Sequence, residues 1–409
     1  MPETIPFSSW QETLDGPTRA TLEHALPSFL MRQRWFGGKA RTIERVAIRD
    51  TAVVPDQSAA LLIVEVRYVE EGRDLYFVPL VHLATAAARA CLERFPTACL
   101  IECQGGQGAL CDASVDAAFS QWLLQMAGRG TRLPYSAGEL VGSAGRSYAR
   151  MRGDETQPLP AQPNTSEQSN TSVRFGDKII MKLFRRLEPG PHPDCELTQY
   201  LSDQRGNAHV PTFVGSLHHR APDGQDIALA MFQQLVPNQG DGWSWTMDEL
   251  SRTYEQCVTQ VLPREWSDPC RRPLLSTMAQ RMKGEIPDAF EPTIKAVQTL
   301  AQRTGELHLE LAADTELADF RPRIMTRDDL SSLSLRLREH ATRIFDALGP
   351  AHPLTVSWPY NCGRVIYTTY HTVGAAGGGA HAGLDAQEML LYFLVMEIGV
   401  CQDDIPIIE

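Results

Sequence analysis

Apolar residues recur along roughly the first 130 residues with two periodicities, one typical of helices and one that alternates as in strands. The helical periodicity predicts helices at Thr18 to Leu30 and at Ala113 to Met126, the second with Asp112 or Ser114 as its N-cap. The strand-like periodicity occupies three runs: Val46 to Val54, Leu61 to Val69 and Leu75 to His82. The charged stretch from Glu70 to Arg73 fits a hairpin turn between the last two runs. The pattern predicts a small sheet with flanking helices.

A proline-rich stretch marks the next boundary. Residues 154–166 contain Pro158, Pro160 and Pro163 among polar residues, a composition that ends regular structure. The segments predicted beyond it are, in order, strands around Val173 and Ile179, a helix from Asp194 to Ser202, and a strand from Ile227 to Phe232 that runs into an extended linker. The order strand, strand, helix, strand is that of the small lobe of a kinase.

From Thr246 onward the pattern is mainly helical. Long amphipathic segments follow one another: Asp248 to Val261, Leu274 to Lys283, Pro292 to Ala312 and Asp328 to Leu348. Beyond Pro350 the chain becomes glycine-rich and of low complexity, and it ends in an acidic tail. We therefore predict a helical large lobe followed by an atypical tail.

The composition narrows the function classes. Of 409 residues, 43% are hydrophobic and 22% are charged, which suits a globular protein of roughly two to three domains. The formal net charge of −12 disfavours nucleic acid and anionic membrane surfaces as partners. Cys99 and Cys103 could share one helical turn, but no second pair completes a zinc site, so we interpret the cysteines as reduced thiols. With neither a leader nor a spanning run in the sequence, we expect a cytoplasmic protein.

Lys182 is the residue whose position best indicates chemistry. It lies in the alternating apolar run from Lys178 to Phe184, and Glu196 follows on the next predicted helix. An inward ammonium needs a partner, and ATP phosphates together with a helix glutamate would provide one. The alternative is a strand-end lysine whose ammonium reaches solvent.

Two further sets of residues are candidates on weaker grounds. Ser169, Asn170 and Thr171 are small and polar and precede the lysine strand, so they could line a phosphate-binding nest or form an ordinary polar turn. The aromatic pair Trp35 and Phe36 before two glycines could bind a sugar face, although packing is the preferred interpretation.

Several long strings of this chain resemble those of the maltokinase family, including the form fused to trehalose synthase. The matching strings are Gln33 to Arg41, Glu167 to Val173, Lys182 to Gly190, Val236 to Asp241 with Trp243, and Thr304 to Leu309. The match extends from about residue 15 to 349. The resemblance implies an α+β protein with an N-terminal cap domain and a bilobed protein-kinase-like fold, similar to the aminoglycoside phosphotransferases. Its C-terminal lobe would be mainly helical and incomplete.

The resemblance also implies a function. The family phosphorylates maltose with ATP and Mg²⁺, and the product, maltose 1-phosphate, feeds α-glucan synthesis. Lys182 would then hold the phosphates, Glu196 would orient Lys182, and Gln233 to Val236, including Leu235, would be the hinge that meets the adenine. The implied domains are a cap (1–135), a small lobe (136–240), a helical large lobe (241–349) and an atypical tail (350–409). The resemblance also implies that the protein associates with, or is fused to, a trehalose synthase.

The tail departs from the family pattern. Where the family has a His-Gly-Asp-x-His-x-x-Gln loop and then an acidic metal-binding segment, this chain has Tyr367 to Gly374, with Thr369 at the position of the catalytic aspartate. Phosphoryl transfer depends on positioning and on a metal that neutralises the developing charge, so we expect a large loss of rate. Codons for Val373 to Gly377 permit a shifted frame that reads Trp-Gly-Gln-Leu-Val, which makes a reading-frame error one explanation. The alternatives are a non-catalytic ATP- or sugar-binding module and a phosphotransferase for another small hydroxyl compound.

Overall fold

The computed structural model describes residues 4–69, 72–157, 159–163, 170–259, 291–348, 355–360 and 363–368. Its chain divides into two compact units, Met1–Gln239 and Gly240–Glu409. Helices and strands are mixed throughout, so the α+β class expected from the sequence is confirmed. The predicted helix from Leu274 to Lys283 lies outside the described residues.

The first sheet belongs to the N-terminal part of the first unit. Its strands are β1 (Thr4–Ile5), β2 (Ile43–Val53), β3 (Ala59–Tyr68), β4 (Arg73–Phe77), β5 (Leu80–Leu83), β6 (Cys99–Cys103), β7 (Ala109–Asp112) and β13 (Arg186–Leu187). The order is β1-β6-β7-β5-β3-β4-β13, with β2 on β3. Strand β3 is buried on both faces because Leu61 and Ile63 enter one core cluster while Leu62 and Val64 enter another. A continuous apolar run is what such a strand requires.

Four helices belong to this part of the chain: α1 (Trp10–Thr13), α2 (Gly16–Arg32), α3 (Thr85–Arg94) and α4 (Ala117–Arg129). Helices α2 and α3 lie against this sheet, whereas α4 packs mainly on the second sheet. Helix α2 buries Leu22, Leu26 and Phe29 on one side of the sheet. Helix α4 begins at Asp116, whose carboxylate accepts a hydrogen bond from the Phe119 N–H. The N-cap predicted at Asp112 or Ser114 is therefore wrong, because a short 3-10 helix precedes α4 and takes Asp112 as its own cap.

The second sheet is antiparallel. Its strands are β8 (Arg132–Pro134), β9 (Glu139–Ala144), β10 (Ala161–Pro163), β11 (Thr171–Phe175), β12 (Ile179–Leu183), β14 (Phe213–Arg220) and β15 (Asp226–Gln234), in the order β10-β11-β12-β15-β14-β9-β8. Two short helices accompany it, α5 (Tyr148–Arg152) and α6 (Pro193–Gln199), the latter continuing as a π-helical turn over Tyr200–Gln204. The predicted order strand, strand, helix, strand is confirmed, and strand β14 is added between the helix and the last strand.

One apolar core joins the two sheets. Leu61 and Phe77 from the first sheet, and Phe175 and Phe232 from the second, belong to the same buried cluster, and all four are at most 1% exposed. The first unit therefore contains both sheets around a continuous interior, and burial of this extent is the main stabilising contribution in a domain.

Two local expectations about the first sheet are wrong. The run from Leu75 to His82 forms two strands, β4 and β5, because the chain leaves β4 after Phe77 and re-pairs at Leu80. Cys99 and Cys103 lie on strand β6, not on a helical turn. Among the described residues, no group of three or more histidine, cysteine or acidic side chains is placed to hold a metal ion. Nor does any described helix have the length and apolarity to cross a membrane.

The second unit is described by three long helices and a hairpin. They are α7 (Gly242–Thr259), α8 (Glu291–Leu311), α9 (Arg327–Leu348), β16 (Thr355–Tyr360) and β17 (Gly363–Thr368). The strands of the hairpin pair antiparallel, from Thr355 opposite Thr368 to Tyr360 opposite Gly363. No residue of α8 is buried, and Leu300 and Leu309 are 68% and 74% exposed. Three of the four helices predicted here thus form, and the apolar residues described on α8 are largely exposed.

Candidate functional site

Lys182 lies near the end of β12, opposite Ser172 of β11 and Met231 of β15. Residues that alternate along a strand point to opposite faces of the sheet. Ile179, Met181 and Leu183 face the continuous core, so Lys182 projects from the other face, where its side chain is 28% exposed. The structure therefore places the ammonium on the open face of the second sheet.

A helix carboxylate meets this ammonium, but it is not the predicted one. Lys182 Nζ lies 3.2 Å from Asp194 Oδ2, and both groups are partly open to solvent. Asp194 and Glu196 lie together in the first turn of α6, where carboxylates are favoured by the helix dipole. The structure pairs Lys182 with Asp194, two residues before Glu196, and this corrects the expected partner. The role of Glu196 in orienting the lysine stays a prediction.

The face that carries Lys182 is partly covered by α6. Cys195 packs there with Phe184 and Met231, and the His192 ring stacks on Phe184 at a centroid distance of 3.7 Å. Burial lowers the pKa of His192 below its usual range. The helix is thus fixed to the sheet by an apolar contact beside the lysine pair.

A second histidine lies in a polar network under the same helix. His218 Nε2 is 3.0 Å from Ser216 Oγ, and its Nδ1 lies 2.9 Å from Asp226 Oδ2. Burial lowers the pKa of His218, although the charge of Asp226 acts in the opposite direction. Both half-buried histidines are therefore favoured in the neutral form at neutral pH.

The polar segment before β11 is only partly brought to this face. Ser169 lies outside the described residues, and Asn170 directly precedes the strand. Thr171 pairs with Leu183, so its side chain points to the face opposite Lys182. Its hydroxyl accepts a hydrogen bond of 2.8 Å from Arg185 Nε. The structure thus separates Thr171 from Lys182, and a phosphate-binding role for the segment stays a prediction.

The predicted hinge continues directly from β15. Gln233 lies opposite Ile180 and on the same face as Lys182, and the Leu235 N–H donates a 2.8 Å hydrogen bond to the carbonyl of Lys178. Val236 is 49% exposed, and its carbonyl accepts from Asn238 Nδ2 at 3.1 Å. The chain therefore leaves the sheet after Gln234 without regular secondary structure, with Gln233 and Lys182 on one face.

A buried ion pair connects the two sheets behind this site. Arg185 Nη2 donates to both carboxylate oxygens of Asp112, at 2.9 and 2.8 Å, and to Ser114 Oγ at 2.9 Å. The guanidinium also lies 4.7 Å from the centre of the Trp35 ring. Since Arg185 is 1% exposed, its charge depends on these partners and on Thr171.

A second buried contact joins the sheets at a different place. His219 Nε2 lies 2.8 Å from Asp50 Oδ2, while Asp50 Oδ1 accepts from Ser136 Oγ and from the Ala137 N–H. Burial acts to raise the pKa of Asp50, but the hydrogen bonds from His219, Ser136 and Ala137 hold it below the usual range. Asp50 comes from β2 and His219 from β14, so the contact ties the first sheet to the second.

Two of the strings that carry the resemblance meet at this junction. Trp35 and Phe36 are 9% and 2% exposed and contact Tyr76, which confirms that they pack and do not form an open sugar platform. A side chain at Gly38 would clash with the Tyr68 hydroxyl, so the close approach there requires glycine. Strand β13, from the string that begins at Lys182, pairs with β4 and completes the first sheet.

Sequence reasoning did not identify the residues of these junctions. Asp112 and Arg185 are 73 positions apart and Asp50 and His219 are 169 apart, so periodicity could not relate them. One signal was present: two consecutive arginines directly follow a buried strand, and their side chains must point to different faces. Arg185 turns into the core, and Arg186 pairs with Asp74 nearer the surface.

Part of the chain is similar to known proteins. Residues 29–116 match the family model of the maltokinase N-terminal cap domain. A glucosamine kinase of Mycolicibacterium smegmatis is 30% identical over 88 residues, which are 21% of this chain and 21% of that protein.

Solved structures of glucosamine kinase are also similar over part of their length. One, in complex with glucosamine, ADP and inorganic phosphate, is 17% identical, with a TM-score of 0.41 over 78% of this chain and 56% of that one. A second crystal form is 18% identical, with a TM-score of 0.44 over 84% of this chain and 60% of that one. This chain therefore matches little more than half the length of these structures.

The first unit thus combines a segment that matches this cap domain with a second, antiparallel sheet, in an α+β protein. The match of residues 29–116 to the maltokinase N-terminal cap domain confirms the resemblance to the maltokinase family expected from the sequence.

Proposed function

We propose that this protein is an ATP-dependent sugar kinase and that its sugar is maltose, which it converts to maltose 1-phosphate. The observation that carries the proposal is the junction of a maltokinase cap with a small lobe whose lysine meets a helix carboxylate. The similarity to glucosamine kinases supports the broader class of sugar kinases. A role in α-glucan synthesis and association with trehalose synthase in the cytoplasm are part of the same proposal.

ATP binding is assigned to the open face of the second sheet. Lys182 projects from that face as a point charge suited to a phosphate, and Gln233 on the same face begins the segment that would meet the adenine. Asp194 would orient the ammonium in this state, and Glu196 lies in the same helical turn as an alternative partner. The site requires only a local positive charge, so the acidic balance of the whole chain is compatible with it.

Mg²⁺ is expected to accompany ATP, since divalent metal neutralises the charge that develops in phosphoryl transfer. The donor sets in the described residues do not form a cluster that fits a metal ion. No described residue is therefore assigned to Mg²⁺.

A second candidate function is a module that binds ATP or sugar without transferring phosphate. The chain has Thr369 at the position of the family's catalytic aspartate, and Thr369 lies outside the described residues. The threonine at this position does not affect the proposal that the protein binds ATP. It weakens the proposal that the protein transfers phosphate to a sugar. A phosphotransferase with another small hydroxyl acceptor is the third possibility.

Titration of the full-length protein with ATP tests the proposed ATP binding. We expect Lys182→Ala to abolish measurable binding, because it removes the ammonium that faces the phosphates. Lys178→Ala is the matched control, since this exposed lysine lies at the other end of the same strand segment. Equal affinity in the wild-type protein and in Lys182→Ala would refute the assignment.

An assay of sugar phosphorylation tests whether the protein is a catalytically active kinase. ATP consumption and formation of maltose 1-phosphate are measured with maltose, with glucosamine as the competing acceptor. Phosphorylation of maltose in preference to glucosamine supports a maltokinase. ATP binding without turnover on either sugar supports the non-catalytic module, and sequencing of the gene across codons 350–409 then shows whether the reading frame is intact.

A further inference from the structure

Arg185 connects the cap to the strand pair that carries the proposed nucleotide site. Its Nη2 is held by Asp112 at 2.8 Å, and its Nε reaches Thr171 at 2.8 Å. Asp112 ends strand β7 of the first sheet, while Thr171 begins strand β11 of the second. One buried guanidinium therefore contacts side chains from both sheets.

The contact between Arg185 and Thr171 lies at the end of the paired strands β11 and β12. Thr171 lies opposite Leu183, and Arg185 follows Leu183 by two residues, so the guanidinium closes the end of the β11–β12 ladder. The next pair inward is Ser172 opposite Lys182. Asn170, which precedes Thr171, is the described residue of the polar segment that leads into the strand.

We propose that Asp112 of the cap is a positioning residue for nucleotide binding: through Arg185 it fixes Thr171, and thereby the end of β11 beside Lys182. The inference rests on the proposed function, because it presumes that ATP binds at the Lys182 face. The inference gives the cap a role in forming the nucleotide site. Neither the match to the cap-domain family model nor the similarity to a glucosamine kinase specifies such a role.

Substitution of Asp112 is expected to affect Thr171 because the Asp112–Arg185 ion pair is deeply buried. Both partners are nearly inaccessible, with side chains 1% and 5% exposed. A buried guanidinium that loses its carboxylate has to recruit water or move, because an unpaired charge in the interior is strongly disfavoured. Either response releases Thr171, whose hydroxyl is held by Arg185 Nε.

The chain supplies a matched control next to this pair. Arg186 Nη2 lies 2.9 Å from Asp74 Oδ1, in the same junction and on the neighbouring residue. That arginine is 55% exposed, and its strand pairs with β4, not with β11. Asp74→Asn therefore removes a cap carboxylate from an arginine without touching Thr171.

The first experiment titrates the full-length wild-type protein, Asp112→Asn and Asp74→Asn with ATP, each well below its unfolding temperature. Asparagine keeps the shape of the side chain and removes its charge. We expect Asp112→Asn to raise the Kd for ATP about tenfold, within the range by which residues distant from a ligand alter its binding. For Asp74→Asn we expect a change below about twofold, because the Arg186 partner is 55% exposed and its strand pairs with β4, not with β11.

The second experiment isolates the link to β11. Thr171→Val removes the acceptor for Arg185 Nε, and we expect it to raise the Kd for ATP as Asp112→Asn does. Thr171→Ser keeps the hydroxyl, and we expect it to bind ATP like the wild-type protein. In the double variant Asp112→Asn/Thr171→Val the two effects should not add, since both act through Arg185. Additive effects would show that Thr171 affects ATP by another route and would overturn the inference.

Hydrogen exchange without nucleotide covers the outcome in which Asp112→Asn is too unstable to titrate. We expect faster exchange at residues 171–175 in Thr171→Val, and no change there in Asp74→Asn. Unchanged exchange and an unchanged Kd in Thr171→Val overturn the inference and leave the proposed function standing, provided that the wild-type protein binds ATP. A wild-type protein that binds no ATP overturns both.

Discussion

The two compact units differ in how completely their apolar residues are covered. In the first unit, sheets, helices and junctions enclose a continuous core, and Leu62, Phe77 and Phe232 are at most 1% exposed. In the second, the described side chains of α8 and α9 are all exposed or half-buried. Both units have the periodicity of amphipathic structure, so periodicity alone does not show how deeply the described residues of a helix are buried.

The difference has a consequence for function. A site held by a packed unit keeps its geometry, because the surrounding side chains fix each rotamer and strand. The residues assigned to nucleotide binding, Lys182, Asp194 and Gln233, all belong to the first unit. The proposed ATP site therefore depends on the well-packed part of the chain.

The largest expected effect comes from truncation of equivalent leucines in the two units. Leu62→Ala opens a cavity in the interior of β3, and we expect it to lower the free energy of unfolding by about 3–5 kcal/mol. Leu300→Ala on α8 changes an exposed side chain, and we expect a change within about 0.5 kcal/mol. Denaturant unfolding of both variants measures the contrast. Comparable losses would contradict the difference in packing.

The two neighbouring arginines allow the same comparison within the junction. Arg185→Ala leaves the buried Asp112 carboxylate without its partner, and we expect a loss of about 3–5 kcal/mol. Arg186→Ala breaks a pair that is partly in water, for which we expect about 1 kcal/mol or less. Unfolding midpoints of the two variants test this order. If the second substitution cost more than the first, the junction would not be held by its buried pair.

The pH dependence of stability is the next smaller effect. Burial holds the pKa of His192 and of His218 below the usual value of 6.5, so the unfolded chain takes up protons at these imidazoles that the folded chain does not. This contribution to stability is present above pH 6.5 and is lost as the pH falls below it, by at most about 1.4 kcal/mol per pH unit for each imidazole.

Unfolding measured between about pH 7.5 and 5.5 checks this prediction, with His218→Gln as the variant that removes one of the two groups. We expect stability to fall toward acid pH in the wild-type protein and to fall less steeply in the variant. A wild-type profile that is flat over this range would show that the two histidines do not titrate as their burial implies.

The smallest effect on stability is expected at the proposed ATP site itself. Lys182 and Asp194 are 28% and 48% exposed, and pairs of this kind contribute about 0–1 kcal/mol. Lys182→Ala should therefore leave the unfolding midpoint nearly unchanged although it removes ATP binding. A large loss of stability in this variant would indicate a structural role for the lysine.

The sequence was sufficient for the elements with strong periodicity. It predicted the helix that became α2 and the strands that became β3, β12 and β15, because each follows a regular apolar pattern. It did not predict β14, although that strand completes the sheet on which α6 packs. The Phe213–Arg220 segment includes two histidines and an arginine, and its burial results from tertiary contacts.

The candidate site was predicted only in part, and for a related reason. Lys182 could be recognised because it interrupts an apolar strand, whereas its actual partner, Asp194, is one of two carboxylates in the same helical turn. The choice between them depends on where α6 begins and how Cys195 anchors it, and neither follows from spacing. The contacts of Arg185 and Asp50 depend in the same way on how the two sheets pack.

Hydrogen exchange of the full-length protein with and without ATP tests the central claim most directly. The account predicts that ATP slows exchange in β12 and in residues 233–236 of the first unit, and that Lys182→Ala removes this protection. ATP-dependent protection confined to residues after Gly240, or no protection in the wild-type protein, would contradict the assignment of the nucleotide site to the Lys182 face.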